Sequence, residues 1–349
     1  MNQDWKRFLQ AAGAHWDEHD IAHFGEDAAL DPCALHDLSH LGLIRVTGAD
    51  AETFLQGQIT NDVRELGETH SQLAGYCGPK GRMLAQFRLF RRAGAICLQL
   101  PRELLGDTLK RLRMFVLRAQ VTLEDVSDDW VRIGLSGECA PGLLSALFDG
   151  LPQEANGVLH HQEITLIRMP GPLPRFEILA PPDEAMDLWR RLGEGGARPA
   201  GADAWGLLDI RAGLPNVYAG TREAFVPQMT NLQLIDGLSF TKGCYTGQEV
   251  VARMQYLGKL KRRMYRARVR AGARPAPGDT LDSPASASGQ GAGRVVDARP
   301  LGGDEYELLA VVEIAAAENS EVHLGKDGPV LEFLDLPYAF EDAEARQSA

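Results

Sequence analysis

Cysteine is scarce and unpatterned: five in 349 residues, an odd number, with no Cys-x-x-Cys pair. Such a set makes no disulfide framework, and no cluster has the spacing of a zinc or iron–sulfur ligand set. No apolar run approaches membrane-spanning length, and the N-terminus lacks a charged-then-apolar signal pattern. The expectation is a protein of a reducing, cytoplasmic compartment. Positive charge is also in deficit, with 36 Lys and Arg against 48 Asp and Glu and a formal net charge of -12. That opposes non-specific nucleic-acid binding by the surface as a whole. What remains is ordinary for a soluble globular chain, 44% hydrophobic and 24% charged, with material for two or three domains.

The pattern predicts an amphipathic helix over residues 2–24 anchored by Trp5, Phe8, Leu9 and Trp16. His15, His19 and His23 recur every four residues, and His36-Asp37-Leu38-Ser39-His40 adds a second histidine cluster. Both read as solvated faces rather than metal sites, since no ligand set completes either. A short strand covers Leu43–Val46. A hairpin follows over Leu73–Phe90, turning at Gly78-Pro79-Lys80-Gly81. Cys97 falls in a strand core, and Leu104–Arg118 has helical spacing.

Residues 129–199 form a distinct unit. Strands are predicted at Trp130–Leu135, Glu163–Met169 and Arg175–Leu179, with helices at Pro141–Phe148 and Asp183–Leu192. This β-α-β-β-α order is most of a ferredoxin-like split unit. Ala202–Ala212 is helical. Beyond Gly258, short strands at 263–270, 291–298, 304–314 and 329–334 predict a small β-barrel or sandwich. Gly289-x-Gly291-x-Gly293 precedes a strand pattern, not a helix, so it is no dinucleotide fingerprint. Residues 340–349 read as a polar tail. Two stretches run against the acidic total, Lys80–Arg118 and Arg253–Arg270. They read either as solvated faces or as a patch for a polyanion such as a polyglutamyl tail or an RNA backbone.

The stretch with the most chemistry is Thr241-Lys242-Gly243-Cys244-Tyr245-Thr246-Gly247-Gln248-Glu249. Gly243 and Gly247 mark sharp turns or close approaches. Thr246 and Glu249 have capping-box spacing ahead of an apolar run. Cys244 thus stands before a helix N-terminus, which favours a thiolate, and Lys242 adds a cation if it turns the same way. Cys77, beside Lys80, is its rival as the reactive thiol. The plainer reading is a helix-entry turn whose cysteine packs.

Lys242 to Glu249 resembles the signature of the YgfZ family of folate-binding proteins, relatives of the glycine-cleavage aminomethyltransferase. Pro227-Gln228-Met229-Thr230-Asn231-Leu232 resembles the approach to it. Three further blocks are similar: residues 42–62, Lys80-Gly81-Arg82, and Ala204-Trp205 through Ile210-Arg211-Ala212-Gly213-Leu214-Pro215. The resemblance implies an α+β fold, a three-lobed aminomethyltransferase-like ring with a ferredoxin-like lobe and a C-terminal β-barrel. Its segments would be 25–128 and 200–257 for the two parts of a folate-binding lobe, 129–199 for the ferredoxin-like lobe and 258–340 for the barrel.

It also implies tetrahydrofolate as cofactor and a role in maintaining Fe–S enzymes, among them one that methylthiolates tRNA. Lys242 and Cys244 fall on the family's signature lysine and cysteine. Trp205, Glu177 and Arg211 become candidates for cofactor binding, where the plainer readings are core packing for Trp205 and a solvated strand charge for Glu177. A second folate-associated tryptophan of some relatives would fall near Leu41. Two other readings stand beside this one: a folate-dependent one-carbon (aminomethyl or methyl) transferase, and an RNA-binding module using the basic stretches.

Overall fold

The structure, a computed structural model, describes residues 1–17, 21–25, 32–256, 258–286 and 291–340. The chain divides into two compact units, each discontinuous in sequence. The first takes Met1–Ala51, Glu65–Gln72 and Arg88–Leu208; the second takes Glu52–Arg64, Leu73–Phe87 and Asp209 onwards.

In the first unit a six-stranded sheet runs in the order Val158–His161, Ile164–Arg168, Arg175–Ala180, Val131–Gly137, Cys33–Asp37, Arg198–Ala200. The three strands and two helices expected from the sequence are present, the helices as Ala140–Ser145 and Pro182–Glu194, but Val158–His161 adds a strand between the first helix and Ile164–Arg168, so the order is β-α-β-β-β-α. Side chains alternate across a strand, so each face has its own character. Ile133, Leu135, Phe176 and Ile178 point to the helix side. There they pack with Leu144, Leu188, Trp189 and Leu192, and with Trp5 and Leu9 of the N-terminal helix. The alternate residues of the same strands, Arg132, Gly134, Ser136, Arg175 and Glu177, make the other face, which is buried and polar.

Three expectations are corrected here. The N-terminal helix spans only Gln3–Ala11; Gly13, at φ +97°, ends it, and His15–Trp16 then pairs with Ala22–His23. His15 and His23 therefore face each other across an antiparallel strand pair rather than along a helix; His19 lies outside the described residues. His36 and Asp37 are not solvated but buried. Burial pushes the Asp37 carboxyl up, and it accepts from Trp5 Nε1 at 2.8 Å and Ser39 Oγ at 2.7 Å. Finally, Cys33 and Cys139 are disulfide-bonded, tying a strand to the N-cap of Ala140–Ser145. Their separation of 106 residues gave the sequence no pattern to show it.

The predicted hairpin is present as Gln72–Cys77 and Met83–Arg92. From Arg88 on, its second strand belongs to the first unit, where Ala95–Pro101, Leu41–Thr47 and Thr122–Asp125 continue the sheet. In the second unit six antiparallel strands curl into a half-barrel. Their order is His323–Leu324, Thr280–Asp282, Gly293–Gly302, Glu305–Glu313, Arg262–Arg270, Glu332–Leu334. Ala267, Val269, Val295, Leu308, Ala310 and Val312 fill its core.

The basic strand Arg262–Arg270 faces an acidic partner. Arg262 pairs with Glu313 at 2.8 Å, Arg266 with Glu307 at 2.6 Å and Arg270 with Glu305 at 2.6 Å. Much of that basic run is thus neutralised across the ladder. Of the expected polar tail, residues 341–349 lie outside the described residues, as does part of the Gly-rich loop, 287–290. Among the described residues no helix is long and apolar enough to cross a membrane.

Candidate functional site

The signature loop is built on Lys242. Its side chain is 4% exposed. Its ammonium donates to three backbone carbonyls, Gln56 at 2.9 Å, Ile59 at 2.6 Å and Asn61 at 2.7 Å. A lysine carries three donors and no acceptor, so three converging carbonyls satisfy it fully. Burial draws its pKa down to about 8, while neighbouring Asp62 acts to raise it.

The direction of Lys242, left open by the sequence, is into the protein: its ammonium locks residues 56–61, the Gln56-Gly57-Gln58-Ile59-Thr60-Asn61 block, to the signature. Further bonds reinforce the lock. Thr60 Oγ1 donates to Gly237 O at 2.8 Å, and Ser239 N–H donates to Thr60 O at 3.0 Å. Asn61 Nδ2 donates to Leu73 O and Asp236 O. Asp62, held down at about 2 by its hydrogen bond from Arg64, also accepts from Gln56 Nε2 at 2.9 Å.

The helix that follows runs from Gln248 to Tyr256. Its N-cap position therefore falls on Gly247 rather than on Thr246, where the capping-box spacing placed it. Gly247 is required twice over. It sits at φ +84°, and a Cβ there would lie 2.5 Å from Gly78 O. Gly81, at φ +69°, in turn packs against Val250, so the hairpin turn and the helix entrance meet at close quarters. Gln228 Nε2 donates to Val251 O at 2.6 Å, which fixes the helix from the other side. Gly243 differs: a Cβ there would meet nothing within 4 Å.

On this clamped loop Cys244 is exposed and free, whereas Cys77 and Cys97 are buried. Burial pushes the Cys77 and Cys97 thiols up to about 12, which removes Cys77 as a rival. Iodoacetamide is accordingly expected to label Cys244 first in the native protein at about pH 7–8, with peptide mass as the readout. Labelling Cys77 or Cys97 as fast as Cys244 would contradict this arrangement.

Glu177 and Trp205 belong to the first unit, and the sheet register shows how they meet. His36, Gly134 and Glu177 are direct cross-strand partners, so all three project from the same face. Gly134 has no side chain, and the indole of Trp205 fills the gap; a Cβ on Gly134 would lie 2.6 Å from the ring. Trp205 is 1% exposed, with Arg175 stacked 4.9 Å from its centroid and the His36 ring 5.3 Å away.

Glu177 is fully buried, not a solvated strand charge, and accepts from Gln99 Nε2 at 3.0 Å. Buried Arg132 offers compensating charge. His36, drawn down to about 4 by burial, is neutral and lies 2.8 Å from Ser136 Oγ. Leu41 joins the apolar cluster that contains Trp205. Gln99, Arg175 and Arg132 carry no local signal as site residues, and His36 read as part of a solvated cluster: Arg175, Arg132 and His36 are brought to Glu177 by strand pairing within one sheet, and Gln99 reaches it from the other sheet. Arg211 is in the second unit, where its guanidinium pairs with Glu307 at 3.3 Å.

Residues 25–238 match the family model described as the GCVT N-terminal domain. The glycine cleavage system aminomethyltransferase T from Bartonella henselae superimposes with a TM-score of 0.74, covering 97% of each chain at 18% identity. The fold is therefore aminomethyltransferase-like. Closer in sequence are proteins named tRNA-modifying protein YgfZ. That of Sodalis glossinidius (strain morsitans) is 34% identical over 309 residues, 88% of this chain and 94% of the relative. That of Yersinia pestis (strain Pestoides F) is 33% identical over 312 residues, 89% and 94% of the two. The chain belongs to the YgfZ family.

Proposed function

We propose that this protein is a cytoplasmic, tetrahydrofolate-binding accessory factor for the assembly or repair of Fe–S proteins, acting through Cys244. Its partners would be Fe–S client enzymes such as a tRNA methylthiotransferase, and its effect on tRNA indirect. The observation that carries this reading is the division of labour in the signature: Lys242 is sunk into three carbonyls while Cys244, two residues on, stands in solvent. A rigid base under an accessible thiol suits a cysteine that meets a partner or a transferred atom. The relatives' name, tRNA-modifying protein, agrees with it.

The polar layer has chemistry that suits a pterin. A buried carboxylate is acceptor-only, so Glu177 would take the N–H donors of the ring, with Gln99 orienting it. Trp205 would back the layer rather than offer an open stacking face, since Arg175, His36 and Gly134 surround it. Bound tetrahydrofolate supplies a carrier for one-carbon groups. Tetrahydrofolate is expected to quench tryptophan fluorescence. Trp205→Phe should remove much of the quench, and Glu177→Ala should weaken affinity by about tenfold or more, as loss of a charged hydrogen-bond partner does. Unchanged titration curves for both variants would overturn this assignment.

Aminomethyl transfer, the competing reading, needs a carboxylate poised near the reacting nitrogen. The segment after the hairpin turn, Arg82-Met83-Leu84-Ala85-Gln86-Phe87-Arg88, has no acid, and Asp62 is engaged by Arg64 and Gln56. Formation of methylenetetrahydrofolate from an aminomethyl donor at enzymatic rates would favour the transferase instead.

A further inference from the structure

The second unit contains a cleft of about 270 Å³ that the signature loop does not use. Four arginines line it, Arg82, Arg222, Arg262 and Arg294, against one carboxylate, Glu223. The two basic stretches of the sequence each send one residue here, Arg82 and Arg262. We propose that this cleft binds a phosphate group, either of a small phosphorylated molecule or of a single-stranded RNA backbone.

The walls are built rather than incidental. The segment carrying Arg222 is pinned to the hairpin by Glu223 N–H donating to Met83 O and Met83 N–H donating to Phe225 O, each at 2.8 Å. Glu223 holds a left-handed φ of +60° to make that turn. At two points the lining is bare backbone: a Cβ on Gly220 would strike Pro277 O and one on Gly293 would strike Val311 O, both at 2.1 Å. Arg82 is anchored by donating through Nη1 to the carbonyls of Glu223 and Ala224. Arg262 is fixed by Glu313 and Gly291 O, each at 2.8 Å. Arg294 donates through Nη1 to Gly278 O at 3.3 Å.

A guanidinium carries five N–H donors in a planar fork. Anchoring Arg82 and Arg294 through one nitrogen each leaves their remaining donors for a ligand. Fixed arginine forks match phosphate oxygens bidentately; Arg262 is balanced by Glu313, and Arg82, Arg222 and Arg294 against Glu223 still give the cleft a positive excess that favours an anion. The volume admits a phosphate ester or a diphosphate but not a nucleic-acid duplex, whose width exceeds it.

The test uses the full chain. Pyrophosphate and a single-stranded RNA pentamer are titrated calorimetrically into the wild type, Arg294→Glu, Arg222→Gln and Arg268→Glu, with thermal melts confirming the fold. Arg294 is exposed, so its replacement should leave folding intact, and Arg268 is an exposed barrel arginine outside the cleft. Binding should weaken by at least about tenfold in Arg294→Glu and Arg222→Gln and stay unchanged in Arg268→Glu. Tighter binding of pyrophosphate identifies a small phosphorylated ligand, and tighter binding of the pentamer identifies RNA. Binding of neither probe, or equal weakening by Arg268→Glu, overturns the proposal. The role of Cys244 does not depend on the result.

Discussion

Lys242→Met is expected to destabilise the second unit by about 3 kcal/mol or more. The reason is the three carbonyls of Gln56, Ile59 and Asn61, which now share one ammonium. A thioether donates nothing, and each buried acceptor left without a partner costs about 1 kcal/mol or more. Lys242→Arg should not rescue: a planar guanidinium cannot place its donors on three carbonyls converging on one point. The measurement is chemical denaturation of purified variants. A denaturation midpoint for Lys242→Met equal to that of the wild type would show that the clamp holds nothing.

The pH dependence carries its own sign. Folded Lys242 releases its proton near pH 8, against a usual value of 10.5. Between these values the unfolded chain holds more protons than the folded one, so this group makes stability rise with pH across that window. The stability gap between wild type and Lys242→Met should therefore widen from pH 8 to 10.5. A gap that narrows would place the ammonium in a different environment.

Much of the fold could be read from the sequence wherever the pattern is local. The hairpin at Gly78–Gly81, the three strands and two helices expected within 129–199 and the longer barrel strands all announce themselves by alternation and turn residues. What pairs with what did not show. Cys33–Asp37 takes its place in the sheet between Val131–Gly137 and Arg198–Ala200, both distant from it in sequence. The basic strand Arg262–Arg270 read as either a solvated face or an anion patch because nothing in its own residues reveals Glu305, Glu307 and Glu313 on the neighbouring strand.

The site divides the same way. Gly247 could be singled out as a close approach because glycine is diagnostic, and Lys242 and Cys244 could be named from their motif. The direction of Lys242 depended on where residues 56–61 return, which is tertiary information. Glu177 gave no local sign of burial, since a strand glutamate has the same spelling whether its face is wet or dry. Only the register His36–Gly134–Glu177, with Trp205 filling the glycine gap, makes it a buried group.

Cys244→Ala is expected to separate function from stability. The side chain is exposed, so its loss should change folding free energy by no more than about 0.5 kcal/mol, as surface substitutions do. If the thiol is the working group, its removal nonetheless abolishes function in a folded protein, unlike Lys242→Met, which acts through the clamp. The direct measurement is complementation of cells lacking the gene with wild type or Cys244→Ala, reading Fe–S enzyme activity and tRNA methylthiolation. Wild type should restore both, and Cys244→Ala, present at equal level, should leave both at the level of the deletion; full restoration of both by Cys244→Ala would contradict the central role of this cysteine.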